Sequence, residues 1–116
     1  MKYLCLIYDD ETRWDRMSKD EATVGYGKYV TFTQGIQASG HYVNGNPLKP
    51  TSTATTVRVR NDSVSATDGP FAETKEQLGG YYLLEANDMA EAVAIAARIP
   101  VGDGGAVEVR PILPMG

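Results

Sequence analysis

Asp68 and His41 are the side chains of this chain best suited to moving a proton, and they sit in different settings. Asp68 opens the run Asp68-Gly69-Pro70-Phe71, which continues as Ala72-Glu73-Thr74-Lys75-Glu76 and then Leu78-Gly79-Gly80-Tyr81-Tyr82. A carboxylate turned inward beside apolar side chains holds its proton more tightly, as a general acid or base requires. The same Asp-Gly-Pro is also ordinary turn chemistry, in which the aspartate accepts backbone N–H bonds, the glycine takes an unusual φ and the proline fixes the next. His41 is the sole histidine, so no multi-histidine metal site can be built, and no metal or cofactor is expected. Tyr26, Tyr29, Tyr81 and Tyr82 carry ring faces and hydroxyls that suit an amphipathic cavity, though a core explains them more cheaply. Glu73 adds a carboxylate to the polar stretch after the turn, while Lys75 and Glu76 read as solvated. The catalytic candidates are therefore Asp68 and His41, and the ligand-contact candidates are Tyr26, Tyr29, Glu73 and Tyr82. Neither Gly79-Gly80 nor Gly102-Asp103-Gly104-Gly105 precedes a capped helix, so neither is a phosphate cradle.

The elements that position these residues follow from periodicity. Thr55 to Arg60 and Ser63 to Asp68 alternate around Asn61-Asp62, a pair that tolerates positive φ and suits a two-residue hairpin loop. With Arg60 opposite Ser63, Val59 faces Val64, Val57 faces Ala66 and Thr55 faces Asp68, all on one parity. If the valines point into the protein, so does the Asp68 carboxylate. Tyr3 to Tyr8 and Tyr81 to Leu84 are apolar on both parities and read as central strands covered on both faces. Ser18-Lys19-Asp20-Glu21 has the form of a capping box, which starts a helix. Ala22, Tyr26, Tyr29, Val30, Thr33 and Ile36 give that helix its inward stripe, its glycines permit close packing or a bend, and Gly40 stops it. His41 to Val43 makes a short strand, ended by the turn residues Asn44-Gly45-Asn46-Pro47. Asn87 or Asp88 caps a second helix with Met89, Ala92, Val93, Ala96 and Ile99 inward, and Val107 and Val109 belong to a last strand. Trp14 lies in a charged, turn-like segment as an aromatic plate over apolar surface.

At 116 residues and 42% hydrophobic content the chain is expected to be a single domain, 1–116, with one packed core. Fifteen acidic and eleven basic side chains are spread evenly for a net charge of −4, without the Lys/Arg cluster that direct nucleic-acid binding requires. No signal-like or membrane-spanning run can be drawn, so no membrane association is expected. A single cysteine, Cys5, inside an apolar strand pattern indicates a reducing, cytoplasmic setting and a buried thiol.

The element order suits an antiparallel sheet with two helices on one face and an extra β-hairpin, a ferredoxin-like α+β fold. Two helices cover one face only, yet two strands are apolar on both. A second copy packed sheet against sheet is the economical cover, so a homodimer is expected. The alternative cover is the polar connection Gly45 to Thr56, which offers little apolar content beyond Leu48.

The Asp68-Gly69-Pro70-Phe71 motif, the apolar strand after it, the alanine-rich helix ending at Arg98-Ile99-Pro100 and the closing Val107-Glu108-Val109-Arg110-Pro111 carry a resemblance along the whole chain. The sequence resembles the DGPF branch of the YCII-related proteins. The resemblance implies a dimeric α/β barrel and places Glu73-Thr74-Lys75-Glu76 within the family motif. It also implies a helix-borne histidine paired with an aspartate. Asp68 matches the aspartate, but the helix from Ser18 to Ser39 holds no histidine, and His41 substitutes only if the fold brings it near Asp68. Proteins of this branch look like companions of extracytoplasmic-function sigma factors, and two functions stand in competition beside a third reading in which the motif is purely architectural. One is binding, with or without turnover, of a small molecule in a pocket near Asp68. The other is a regulatory module that contacts such a sigma factor.

Overall fold

The computed structural model describes residues 1–115. Strand β1 (Lys2–Asp9) leads through the short helix α1 (Thr12–Asp15) to the long helix α2 (Lys19–Ala38). Strand β2 (Tyr42–Pro47), a 3-10 turn (Thr51–Thr53), β3 (Thr55–Arg60), β4 (Ser63–Asp68) and β5 (Gln77–Glu85) follow, then α3 (Met89–Ala96) and β6 (Ala106–Pro111). The main sheet has the order β2-β5-β1-β6, with antiparallel pairing throughout. With the hairpin set aside, this is the βαββαβ order of a ferredoxin-like α+β fold.

Local signals act where they were expected. Ser18 Oγ accepts the Glu21 N–H at 3.1 Å while the Glu21 carboxylate accepts the Ser18 N–H at 2.9 Å, and this capping box starts α2. Those bonds hold the Glu21 carboxyl below its usual range. Of the two candidate caps for α3, Asp88 makes the bond, accepting from Glu91 N at 2.9 Å. The β3–β4 hairpin has the derived register, from Thr55 opposite Asp68 to Arg60 opposite Ser63. Asn61 and Asp62 turn it at φ 49° and 63°.

The core lies on one face of the sheet. Tyr3, Cys5 and Ile7 of β1 and Tyr82 and Leu84 of β5 point to it, against Phe32 and Ile36 of α2 and Ile95, Ala96 and Ile99 in and after α3. Cys5 is fully buried, and burial pushes its thiol up to about 11, so it packs as an apolar group. On the other face Leu4, Leu6, Tyr8, Tyr81 and Leu83 are only half-buried, and Leu78 is exposed. No helix among the described residues is long and apolar enough to cross a membrane.

Three expectations require correction. The helix stripes are rotated: Phe32 and Ile95 are buried, whereas Tyr26, Val30, Met89 and Val93 are exposed. Asn44-Gly45-Asn46-Pro47 is strand rather than turn, pairing with Leu83 to Gly80 after an irregularity at Val43. Gly45 makes this pairing close, since a Cβ there would stand 2.6 Å from Tyr82 Cδ1 and 3.0 Å from the Tyr81 carbonyl oxygen. Finally, Asp68 is not turned inward within the chain. Among the described residues the hairpin pairs only with itself, and Asp68 is exposed together with Val57, Val59 and Val64. The outlying hairpin makes the molecule broad and thin, 47 × 47 × 20 Å. Its radius of gyration is 16.2 Å, against about 13 Å for a compact domain of this length.

Candidate functional site

A cavity lies between α2 and the sheet, where β5 begins. Its volume is about 660 Å³, within the usual range for small-ligand sites. It exists because the sheet offers little bulk there: Gly45, Gly79 and Gly80 line its floor. Above them Tyr26, Tyr29, Val30 and Thr33 come from α2 and Trp14 from α1, with Tyr82 reaching in from β5. Trp14 lies against Gly25 of α2, where a Cβ would meet its ring at 3.0 Å. The sequence expectation of Trp14 as an aromatic plate therefore matches its position.

The mouth is framed by bonds between distant segments. Glu11 accepts from Thr51 N at 3.0 Å and from Thr51 Oγ at 2.5 Å, while its own N–H donates to Gln77 Oε1 at 3.0 Å. Leu48 N donates to the Gly79 carbonyl at 2.9 Å and fixes the segment after β2. Asp9 is a second anchor, its Oδ2 taking Arg13 Nη2 at 2.5 Å, Arg13 Nε at 3.2 Å and Gly102 N at 3.3 Å. That half-buried pair fixes α1, and with it Trp14, over the cavity.

Within the cavity Thr33 Oγ stands 2.9 Å from the Tyr29 carbonyl oxygen and 2.7 Å from Tyr82 Oη. The Tyr29 hydroxyl has no hydrogen-bond partner among the described residues, and burial, reinforced by nearby Asp9, pushes it up to about 12. Burial also raises Tyr82, partly offset by its bond to Thr33. Both phenols are thus neutral hydrogen-bonding groups at ordinary pH.

Of the residues singled out from sequence, the structure brings Tyr26, Tyr29 and Tyr82 together on this cavity and leaves Asp68, His41 and Glu73 out of its lining. His41 lies beyond the end of α2, with Nδ1 2.7 Å from Ser39 Oγ and Nε2 3.3 Å from Glu91 Oε1. Asp68 sits at the base of the hairpin, and its carboxylate accepts no hydrogen bond among the described residues. The turn it opens is held by Gly69 instead, whose N–H donates to the Ala54 carbonyl at 2.7 Å and whose carbonyl accepts from Thr56 Oγ at 2.8 Å. Gly69 takes φ 108°, a conformation glycine permits at low cost. Arg58 stacks over the exposed Phe71 ring at 5.4 Å, completing the motif as a surface turn. Glu73 is exposed and makes no hydrogen bond among the described residues. No group of three or more His, Cys, Asp or Glu side chains among the described residues is arranged to hold a metal ion.

Sequence reasoning missed Thr33 as a polar cavity residue, and Trp14, Glu11 and Gln77 as its frame. The available signal was the Gly79-Gly80 pair opposite a Gly-bearing strand, which removes side-chain bulk from one patch of sheet.

Fold and cavity define a small α+β domain with a one-sided core, an aromatic recess and an uncovered sheet face. The sequence profile of the YCII-related domain matches residues 1–116. The chain is also 33% identical over 114 residues to an uncharacterised protein of Rhizobium meliloti (strain 1021), covering 97% of this chain and 92% of that one. The chain belongs to the YCII-related family.

Proposed function

We propose that this protein binds a small molecule in the recess between α2 and the sheet. The observation that carries the reading is the cavity of about 660 Å³, walled by Trp14, Tyr26 and Tyr29 and held open by bonds from Glu11 and Asp9. A recess that is apolar over most of its wall and carries a few fixed polar groups is the usual form of a ligand site. Asp68 and His41 have no place in this reading as direct ligand contacts. The test is a fragment screen by ligand-observed NMR against the wild type and Val30→Trp, which puts an indole into the cavity. Fragments should bind the first and be displaced from the second. Hits that persist unchanged in Val30→Trp, or a screen without hits, would sink the reading.

The working unit in this proposal is a homodimer joined through the helix-free sheet face. Leu4, Leu6, Tyr8, Leu78, Tyr81 and Leu83 line that face with no buried residue among them, and monomers rarely leave so much apolar sheet uncovered. Leu6→Asp should shift the sedimentation coefficient to that of a single chain. A monomeric wild type at micromolar concentration would remove the proposal. The buried, lone Cys5 suits a reducing compartment such as the cytoplasm.

One observation favours a second reading, a regulatory module contacting an extracytoplasmic-function sigma factor. The hairpin shows Val57, Val59 and Val64 to solvent, and Phe71 follows it. An isolated two-stranded hairpin is marginal in water, so a protein partner would stabilise it. Loss of a co-purifying sigma factor on Val59→Asp would support this reading, and its retention would count against it.

A further inference from the structure

The hydroxyl chain on the cavity wall restricts what a ligand can present to it. Thr33 has one hydroxyl proton and two close oxygen neighbours, the Tyr29 carbonyl at 2.9 Å and Tyr82 Oη at 2.7 Å. A carbonyl oxygen only accepts. Both contacts are therefore satisfied only when Thr33 donates to the carbonyl and Tyr82 donates to Thr33. The reverse assignment would leave two acceptors 2.9 Å apart with no proton between them. Tyr82 has then spent its proton inside the protein and can offer a ligand only a lone pair.

The charges nearby point the same way. Asp9, Glu11 and Asp15 line the cavity against one cation, Lys49. Asp9 is answered by Arg13. Glu11 is held by the neutral donors of Thr51, and Asp15 makes no ion pair among the described residues. An anionic ligand would meet like charge at the mouth and an acceptor at Tyr82, and the Tyr29 hydroxyl, without a partner among the described residues, could donate it one bond but not neutralise that charge. A cation meets aromatic faces and carboxylates.

We infer that the recess selects a ligand with a flat apolar body and a hydrogen-bond donor, an amine before a hydroxyl, and binds carboxylates least. The inference rests on the recess being the binding site proposed above. Trp14 is the only tryptophan of the chain and lines the recess, so its fluorescence reports occupancy. The experiment titrates the full chain with 2-phenylethylamine, 2-phenylethanol and phenylacetate at one ionic strength. These share a ring and differ in charge and donor capacity.

The amine should bind tightest, the alcohol next, and phenylacetate at least about tenfold more weakly than the amine, the ratio expected for one charged hydrogen bond. Thr33→Val, close in shape, frees the Tyr82 proton and should bring phenylacetate to within about threefold of the alcohol. Glu11→Gln should narrow the gap between amine and alcohol. Phenylacetate binding as tightly as the amine in the wild type would overturn the inference while leaving the recess as a site. An amine-to-carboxylate ratio unmoved by both substitutions would overturn the polarity assigned to Tyr82 and the charge assigned to Glu11. Failure of all three probes to perturb Trp14 at millimolar concentration would overturn the inference and the site together.

Discussion

Two stretches of alternating strand meet opposite fates in this molecule. In β1 and β5 every second residue, Tyr3, Cys5 and Ile7 or Gly80, Tyr82 and Leu84, is buried beneath helices. In β3 and β4 the alternation is as regular, yet Val57, Val59 and Val64 remain 60%, 65% and 71% exposed. Alternation reports which residues share a face. Whether that face meets protein depends on a partner distant in sequence, which β1 and β5 find in α2 and α3 and the hairpin does not find within its own chain.

The largest expected effect comes from setting the two regions side by side. Ile36→Ala, at a fully buried position, should cost about 2–5 kcal/mol in urea denaturation. Val59→Ala should cost under about 1 kcal/mol in dilute protein. A Val59→Ala cost that matches Ile36→Ala, and grows with concentration, would break the contrast by showing the hairpin covered in solution.

Glycines sharpen the same comparison. Gly45→Ala should cost about 1–3 kcal/mol through overpacking against Tyr82. Gly69→Ala, with open space around it but φ 108°, should cost about 1 kcal/mol through backbone strain alone. Tyr82 ring shifts in NMR spectra should move strongly in the first variant and stay put in the second.

The buried thiol gives the body an alkaline sensitivity that the hairpin lacks. Burial raises Cys5 from 9.0 to about 11, so the unfolded chain loses this proton first as pH rises. The contribution is intact below pH 9 and is lost between pH 9 and about 11, at up to about 1.4 kcal/mol per pH unit. Cys5→Ala should flatten that part of the stability-pH profile. The smallest effect belongs to the hairpin base, where Asp68→Asn should stay within about 0.5 kcal/mol. A larger loss would show that its carboxylate has a partner in solution.

What sequence could reveal here was local. The capping box of Ser18 and Glu21, the Asn61-Asp62 turn and the pairing of Thr55 with Asp68 depend on residues within one short segment each, and each formed as read. The four residues Asn44 to Pro47 have turn composition but lie in strand, because Gly45 packs on a tyrosine nearly forty residues away in sequence. Tyr26, Tyr29 and Tyr82 were visible as residues able to line a cavity. Its floor was harder to read, since it is made by an absence of side chains at Gly79 and Gly80. The direction of Asp68 was the weakest deduction, because parity inside an isolated ribbon carries no information about where the rest of the protein lies.

The Asn61-Asp62 tip sits at the end of a ribbon whose strands, among the described residues, pair only with each other and whose valines are open to water. That makes it a natural port for engineering. A short epitope or a small reporter grafted between these two residues would be displayed clear of the folded body, without disturbing either the recess or the sheet.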